Sequence, residues 1–465
     1  MSVVIVAAAL ALLMVVAYRG ASVILFAPLA ALGAVLLTDP SLVAPTFTGL
    51  YMDKLVGFLK LYLPVIVLGA IFGKVIETSG FSRSIAAAVI RFAGPTHAIA
   101  AIVAVGALLT YGGVSLFVVV FAVYPFAADL FRRGDIPKRL IPGTIALGAF
   151  TFTMDALPGS PQIQNIIPTS FFGTDLYAAP RLGLIGAAFV VVTGLVYLNF
   201  RRQQAAARGE GFGEEPLPTS KSDQERLAVH PLLATLPLLL VWSVNKALTL
   251  VIPLGYGESH TLMPEALREA APVVQDVAKL TPLWAVEGAL LVGILSVFVL
   301  AWRPVTEAFA ESSKAATGGA LLAAVNTASE YGFGAVIASL PGFRTIAETM
   351  MAIPHPLVNE AVSVNVLAGI TGSASGGMSI ALAALADTFV RNAEAAGIPF
   401  EVLHRVASMA SGGMDTLPHN GAVITLLFVT GLTHRQSYPD IFAVTLLKTA
   451  AVFVVIGVYA LTGIV

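Results

Sequence analysis

Cysteine is absent from the 465 residues, and charge is scarce: Lys, Arg, Asp and Glu together make up 11% of the chain. Without cysteine there is no disulfide framework, no thiolate metal site and no thiol nucleophile. A formal net charge of −1, with no interleaving of basic and aromatic residues, leaves no surface suited to nucleic acid. The seven histidines form no HExxH pair, which removes the usual zinc metalloprotease. Gly372-Ser373-Ala374-Ser375-Gly376 misplaces its serines for a nucleophile elbow. No metal, no cofactor and no enzymatic activity are expected.

What fills the chain is apolar sequence, 57% of it. So little ionisable surface does not suit water as the main solvent. Continuous stretches of about 17 to 25 apolar residues recur, each long enough to cross a hydrocarbon core as a helix. They do not alternate, so helices and not a barrel are expected. The fold class is an all-α polytopic membrane protein. Residues 3–17 are expected to be a retained first span, because no basic segment precedes them and no cleavage pattern follows.

The order of spans repeats. The expected organisation is an N-terminal transmembrane repeat at 1–200, a polar cytoplasmic linker at 201–228 and a C-terminal repeat at 229–465. Phe72-Gly73-Lys74-Val75-Ile76 returns as Phe333-Gly334-Ala335-Val336-Ile337, and Gly112-Gly113-Val114-Ser115 as Gly376-Gly377-Met378-Ser379. Met154-Asp155-Ala156-Leu157-Pro158 returns as Met414-Asp415-Thr416-Leu417-Pro418. Three pairs in one order at nearly constant offset point to an internal repeat. If each Gly-Gly interruption is the tip of a re-entrant hairpin and each Pro-broken segment crosses fully, each half crosses an odd number of times and the second half is inverted. The Arg- and Lys-rich loops of the first half, among them Arg132, Arg133, Lys138 and Arg139, then face the cytoplasm and both termini lie outside. The same scheme puts Arg344, Arg391 and Arg405 outside.

A helix broken within the membrane leaves backbone groups that lipid cannot satisfy, so each break faces protein, water or a ligand. Half-helix N-termini offer N–H donors and partial positive charge to an anion. A small carboxylate is therefore the expected substrate. Candidate contacts are Tyr111, Gly112, Gly113 and Ser115 at the first hairpin tip, Ser160, Gln162 and Asn165 at the first break, Ser373, Ser375, Gly376 and Gly377 at the second tip, and Thr416, His419 and Asn420 at the second break. The bland alternatives are helix capping and small-residue packing. Asp155 and Asp415, ionisable at membrane depth, are with His419 the candidates for proton coupling. Their competing role is as N-caps of the helices that begin at Leu-Pro. Glu77, Asn326, Glu330, Asn359, Glu360 and Asn365 are expected at helix ends or between packed helices, without a coupling role.

These motifs resemble the gluconate permease (GntP) family of the ion transporter superfamily, and within it the hydroxybutyrate-permease-like members. The resemblance rests on Tyr111-Gly112-Gly113, on Thr153 to Pro168, on Gly369 to Ser379 and on Ser411 to Asn420, and spans essentially the whole chain. It implies an inverted repeat with two re-entrant hairpins and two broken helices, an elevator mechanism within a homodimer in the lipid of the bacterial inner membrane, and import of small hydroxy-carboxylates with protons. The chain departs from the Ser-Asn-Thr hairpin motif of sodium-coupled relatives, which disfavours Na+ as the coupling ion without removing it. No Arg or Lys lies within the four motifs to neutralise a second carboxylate, which favours a monocarboxylate. An intramembrane aspartyl protease, with Asp155 and Asp415 as its dyad, is the alternative from another class; the matched surroundings of the two residues argue against it. A passive channel, usually marked by charge rings or a hydrophobic gate, fits less well.

Overall fold

The computed structural model describes residues 2–19, 22–94, 97–114, 116–213, 229–262, 273–343, 345, 353–418 and 420–465. Helix dominates, as expected for an all-α polytopic membrane protein. Six helices among the described residues are long and apolar enough to cross a bilayer. Their outward faces are apolar too: along one of them Leu184, Val192, Val196 and Phe200 are exposed while Leu182, Gly186, Val190 and Leu198 are buried. An apolar face of that kind suits lipid.

The first half opens with α1 (Ser2–Tyr18) and α2 (Val23–Thr38). A 39-residue helical arm follows, α3 (Pro40–Thr78), which contains a π-helical turn at Phe47–Tyr51. Next come the amphipathic α4 (Phe81–Ala93) and the hairpin of α5 (Ala98–Tyr111) and α6 (Leu116–Arg133). The first broken segment consists of α7 (Ile141–Ala149), the single turn α8 (Phe152–Asp155) and α9 (Ile163–Phe172). Helix α10 (Pro180–Ala207) closes the half, with proline at its first position, where the missing N–H costs nothing. It continues through Ala207, so the expected linker begins as helix. The tail that follows is fastened: Arg139 Nε donates to Glu210 at 2.6 Å, and Asp135 Oδ1 accepts from the Phe212 amide at 3.0 Å.

The second half repeats this order. Helices α11 (Pro231–Tyr256) and α12 (Val277–Leu300) stand where α1 and α2 stood. The extra loop between them carries a short antiparallel pair, β1 (Ser259–Leu262) and β2 (Val273–Asp276), with Ser259 opposite Asp276. The 38-residue α13 (Trp302–Ser339) matches α3, and α14 (Pro356–Thr371) with α15 (Ala374–Ala396) forms the second hairpin. The second broken segment is α16 (Phe400–Gly413) and α17 (Gly421–Thr430), and α18 (His434–Thr462) ends the fold behind a Thr433–Gln436 capping box.

The long arms α3 and α13 pack along each other. Their approach is close because Gly332 lies against Tyr51: a Cβ there would meet the Tyr51 carbonyl oxygen at 2.9 Å. Each broken segment then reaches across to the hairpin of the opposite half, α9 to α15 and α17 to α6. The four breaks are thereby gathered into one region.

Candidate functional site

Each hairpin tip turns on a glycine with positive φ, which side chains rarely tolerate: Gly113 at +94° and Gly372 at +65°. The second tip is not at the Gly-Gly pair. Gly376 and Gly377 lie inside the first turns of α15, which Ser373 opens by accepting the Gly376 amide at 3.1 Å. By conformation Gly113 corresponds to Gly372, and by position at the end of the first hairpin limb Gly112 does, at the same separation in sequence as Met154 and Met414. The matched Gly-Gly motifs are offset by one helical turn. Gly377 serves packing between the hairpin limbs, since a Cβ there would lie 2.2 Å from the Ala368 Cα. Gly112 faces Leu238 of α11, whose Cδ2 a Cβ would meet at 2.5 Å.

Tip and break are joined in both halves. Tyr111 Oη donates to the Pro158 carbonyl at 2.8 Å, and Gln162 Nε2 to the Thr110 carbonyl at 2.7 Å. In the second half Asn420 Nδ2 donates to the Gly372 carbonyl at 2.7 Å. Two of the expected contact residues, Ser115 and His419, lie outside the described residues.

The capping alternative for the aspartates is answered by their neighbours. Asn420 opens α17, its Oδ1 accepting the amides of Ala422 and Val423 at 2.7 and 3.0 Å, while Gln162 stands at the start of α9 without a side-chain cap bond. Asp155 is the last residue of α8, and Asp415 lies within the break. Neither caps a helix. Instead Asp155 presses on the other half: a Cβ on Gly412 would meet its Oδ2 at 1.9 Å. The charged side chains that interact with Asp155 are Lys448, Asp415 and Arg405. Asp415 is ion-paired with Lys448, whose Nζ also donates to the Phe150 carbonyl at 3.3 Å. Two carboxylates and two cations therefore share one buried cluster.

Arg405, expected outside, is instead completely buried within α16. Its Nε and Nη2 donate to the Ala178 carbonyl at 3.2 and 2.7 Å, and its Nη1 to the Asp155 carbonyl and to Asn165 Oδ1 at 3.0 and 3.1 Å. A broken segment leaves carbonyls without helical partners, and here a guanidinium from the opposite half supplies the donors. Ser408 Oγ adds a bond to the Asp155 carbonyl at 2.8 Å. Asn165 Nδ2 donates to the carbonyls of Ser160 and Leu176. Its Oδ1 is therefore an acceptor, so His404 Nε2, 3.2 Å away, carries a proton, and Thr174 Oγ1 lies 2.7 Å from the Nδ1 of the same ring.

Several expected contacts thus have partners within the protein. Ser160 Oγ donates to the Thr153 carbonyl at 2.7 Å, and Thr416 Oγ1 lies 2.7 Å from Thr445 Oγ1. Ser375 Oγ is 3.4 Å from Thr327 Oγ1 and 3.5 Å from Ser373 Oγ, both long for hydroxyl pairs. Sequence reasoning missed Arg405, His404 and Lys448. Lys448 had a signal, being a lysine in the middle of an otherwise apolar 29-residue helix.

A fold of repeated spans with four breaks around a buried charge cluster defines a polytopic membrane transporter, not an enzyme, and the comparisons agree. No family model matches the sequence. The chain is 56% identical, over the full length of both proteins, to the uncharacterized transporter YxjC of Bacillus subtilis (strain 168), and it belongs to that transporter's family. Among solved structures, the YdaH transporter of Alcanivorax borkumensis shares the fold: TM-score 0.51 at 15% identity, covering 92% of this chain and 90% of that one. MtrF of Neisseria gonorrhoeae aligns over 88% of this chain and 82% of its own, with 13% identity and a TM-score of 0.47.

Proposed function

We propose that the protein imports a small hydroxy-monocarboxylate, of the size of 3-hydroxybutyrate or gluconate, together with protons, as the resemblance to gluconate permeases implies. The observation that carries the substrate class is that the protein's own groups already hold both buried cations, with four bonds from Arg405 and two from Lys448. Arg405 directs four of its five N–H donors to the Ala178 and Asp155 carbonyls and Asn165, and Lys448 is held by Asp415 and the Phe150 carbonyl. Neither is free to neutralise a second carboxylate. A single carboxylate is served by the N-terminus of α9, whose first turn has no side-chain cap and brings N–H donors without net charge. Asp155, with no ion pair of its own among the described residues, is the proton acceptor this reading favours, and Asp415 the second.

In this proposal the hairpins and broken segments move as a body against the arms α3 and α13, as an elevator within a homodimer of the bacterial inner membrane, with the first-half basic loops cytoplasmic. Uptake by purified protein in liposomes tests it. Labelled 3-hydroxybutyrate, lactate, gluconate and citrate are offered under separate proton and sodium gradients. Monocarboxylate accumulation driven by the proton gradient is expected. Accumulation driven only by sodium replaces the coupling ion, and no gradient-driven accumulation of any carboxylate ends the proposal.

A further inference from the structure

Two buried acids without an ion pair among the described residues, Glu330 and Glu360, take no part in the cluster around the breaks, and Glu330 is the one that faces a hairpin limb of small residues. Glu330, on α13, is 4% exposed, and no hydrogen bond or ion pair involves its carboxyl among the described residues. It lies against the first turn of α15, just after the second hairpin tip: a Cβ on Gly376 would sit 1.6 Å from its Oε2 and 2.4 Å from its Cδ. The contact belongs to a seam. Thr327 meets Ser375 one turn before it, and Gly334 meets Ile380 one turn after it, where a Cβ would come within 2.8 Å of the Ile380 Cα. Thr327, Glu330 and Gly334 share one face of α13 at helical spacing, and that face is pressed to the start of α15.

The surroundings bring no compensating charge. Tyr51 of α3 is the titratable side chain that interacts with Glu330, and no charged group does. Asp53, Lys54 and Tyr62 of α3 line a cavity of about 420 Å³ beside Tyr331, the next residue along α13. Helix α2 carries no titratable residue, α15 none before Asp387, and α12 only Lys279 and Glu287. An ionised carboxyl without a partner at this depth costs several kcal/mol. The neutral acid costs far less.

From this geometry we propose that Glu330 is a further proton-carrying site of the transport cycle, apart from Asp155 and Asp415, placed on the stationary arm where the start of α15 closes against it. The proposal rests on the proton-coupled reading above. The carboxylate takes a proton from water on one side when the seam is open, the neutral acid lets Gly376 close over it, and reopening toward the other side returns the proton to water. Gly376 has no side chain because the carboxyl occupies that space.

Glu330→Gln keeps the shape and removes the proton. In proteoliposomes the variant is expected to keep substrate counterflow without a gradient and to lose at least about tenfold of proton-driven accumulation, with a flattened pH profile of exchange. Infrared difference spectra should show the carbonyl stretch of a protonated carboxyl in the unaltered protein and its loss in the variant. That reading needs no substrate, so it decides the protonation of Glu330 even where no carboxylate is transported and the functional reading itself has failed. If Glu330→Gln does not fold, Glu330→Asp is used, and a displaced pH midpoint of exchange is expected. Unimpaired proton-driven accumulation in Glu330→Gln, an unchanged infrared band, or an unmoved midpoint in Glu330→Asp overturns the proposal.

Discussion

The two broken segments share a five-residue motif but are held differently. The first is stitched to the opposite half: Arg405, His404 and Ser408 of α16 reach across to the Asp155 and Ala178 carbonyls and to Asn165. The second is held within its own half by α18, through Lys448 to Asp415, Thr445 to Thr416, Tyr438 to the Thr416 carbonyl at 3.3 Å and His434 to the Pro418 carbonyl at 2.9 Å. Duplication explains the similar backbone course. It does not dictate the partners, which each half has found separately. The first break is mainly a set of carbonyls with fixed donors, and the second contains a buried ion pair.

That contrast can be broken most directly at Arg405. Arg405→Ala strands the Ala178 and Asp155 carbonyls and leaves a cavity, at a cost on the order of 5 kcal/mol. Unfolding in mixed micelles measures it, and a cost below that of Lys448→Met would show that the first break is not the rigid one. Lys448→Met and Asp415→Asn should each lose about 3 kcal/mol, because each leaves one member of a buried pair unmatched. A Lys448→Met/Asp415→Leu double variant should regain most of the stability while remaining inactive in uptake. A double variant no more stable than the singles would mean that the pair is not an isolated unit. The smallest effect is expected at the caps: Asn420→Ala should cost about 1 kcal/mol. Equal losses for Asn420→Ala and Gln162→Ala would erase the difference between the two helix starts.

Much of the architecture was legible before any coordinates. The spans, the repeat and the four breaks follow from apolar length, Pro-Gly interruptions and the returning Met-Asp motif. Three features were not legible, for physical reasons. Arg405 was placed outside because charge at membrane depth is assumed to seek water, whereas the carbonyls released by a break make a buried guanidinium favourable. The position of the second tip was obscured because Ala-Ser-Gly-Gly-Met occurs twice with opposite roles. At 374–378 it starts α15 behind the Ser373 cap, and at 410–414 it ends α16. Glu330 was grouped with helix-end polar residues because sequence gives no hint that Gly376 faces it.

Helix α13 has a bearing on how the protein sits in its bilayer. At 1.5 Å per residue its 38 residues extend about 57 Å, nearly twice a hydrocarbon core. Its first third is polar, with Trp302, Arg303, Glu307, Glu311 and Lys314 exposed. That portion suits the headgroup layer, and the remainder, about 38 Å long, spans with a tilt. One rigid rod is thus anchored at the water boundary and also carries the buried Glu330, so headgroup position and lipid thickness set the height of the surface against which the second hairpin packs.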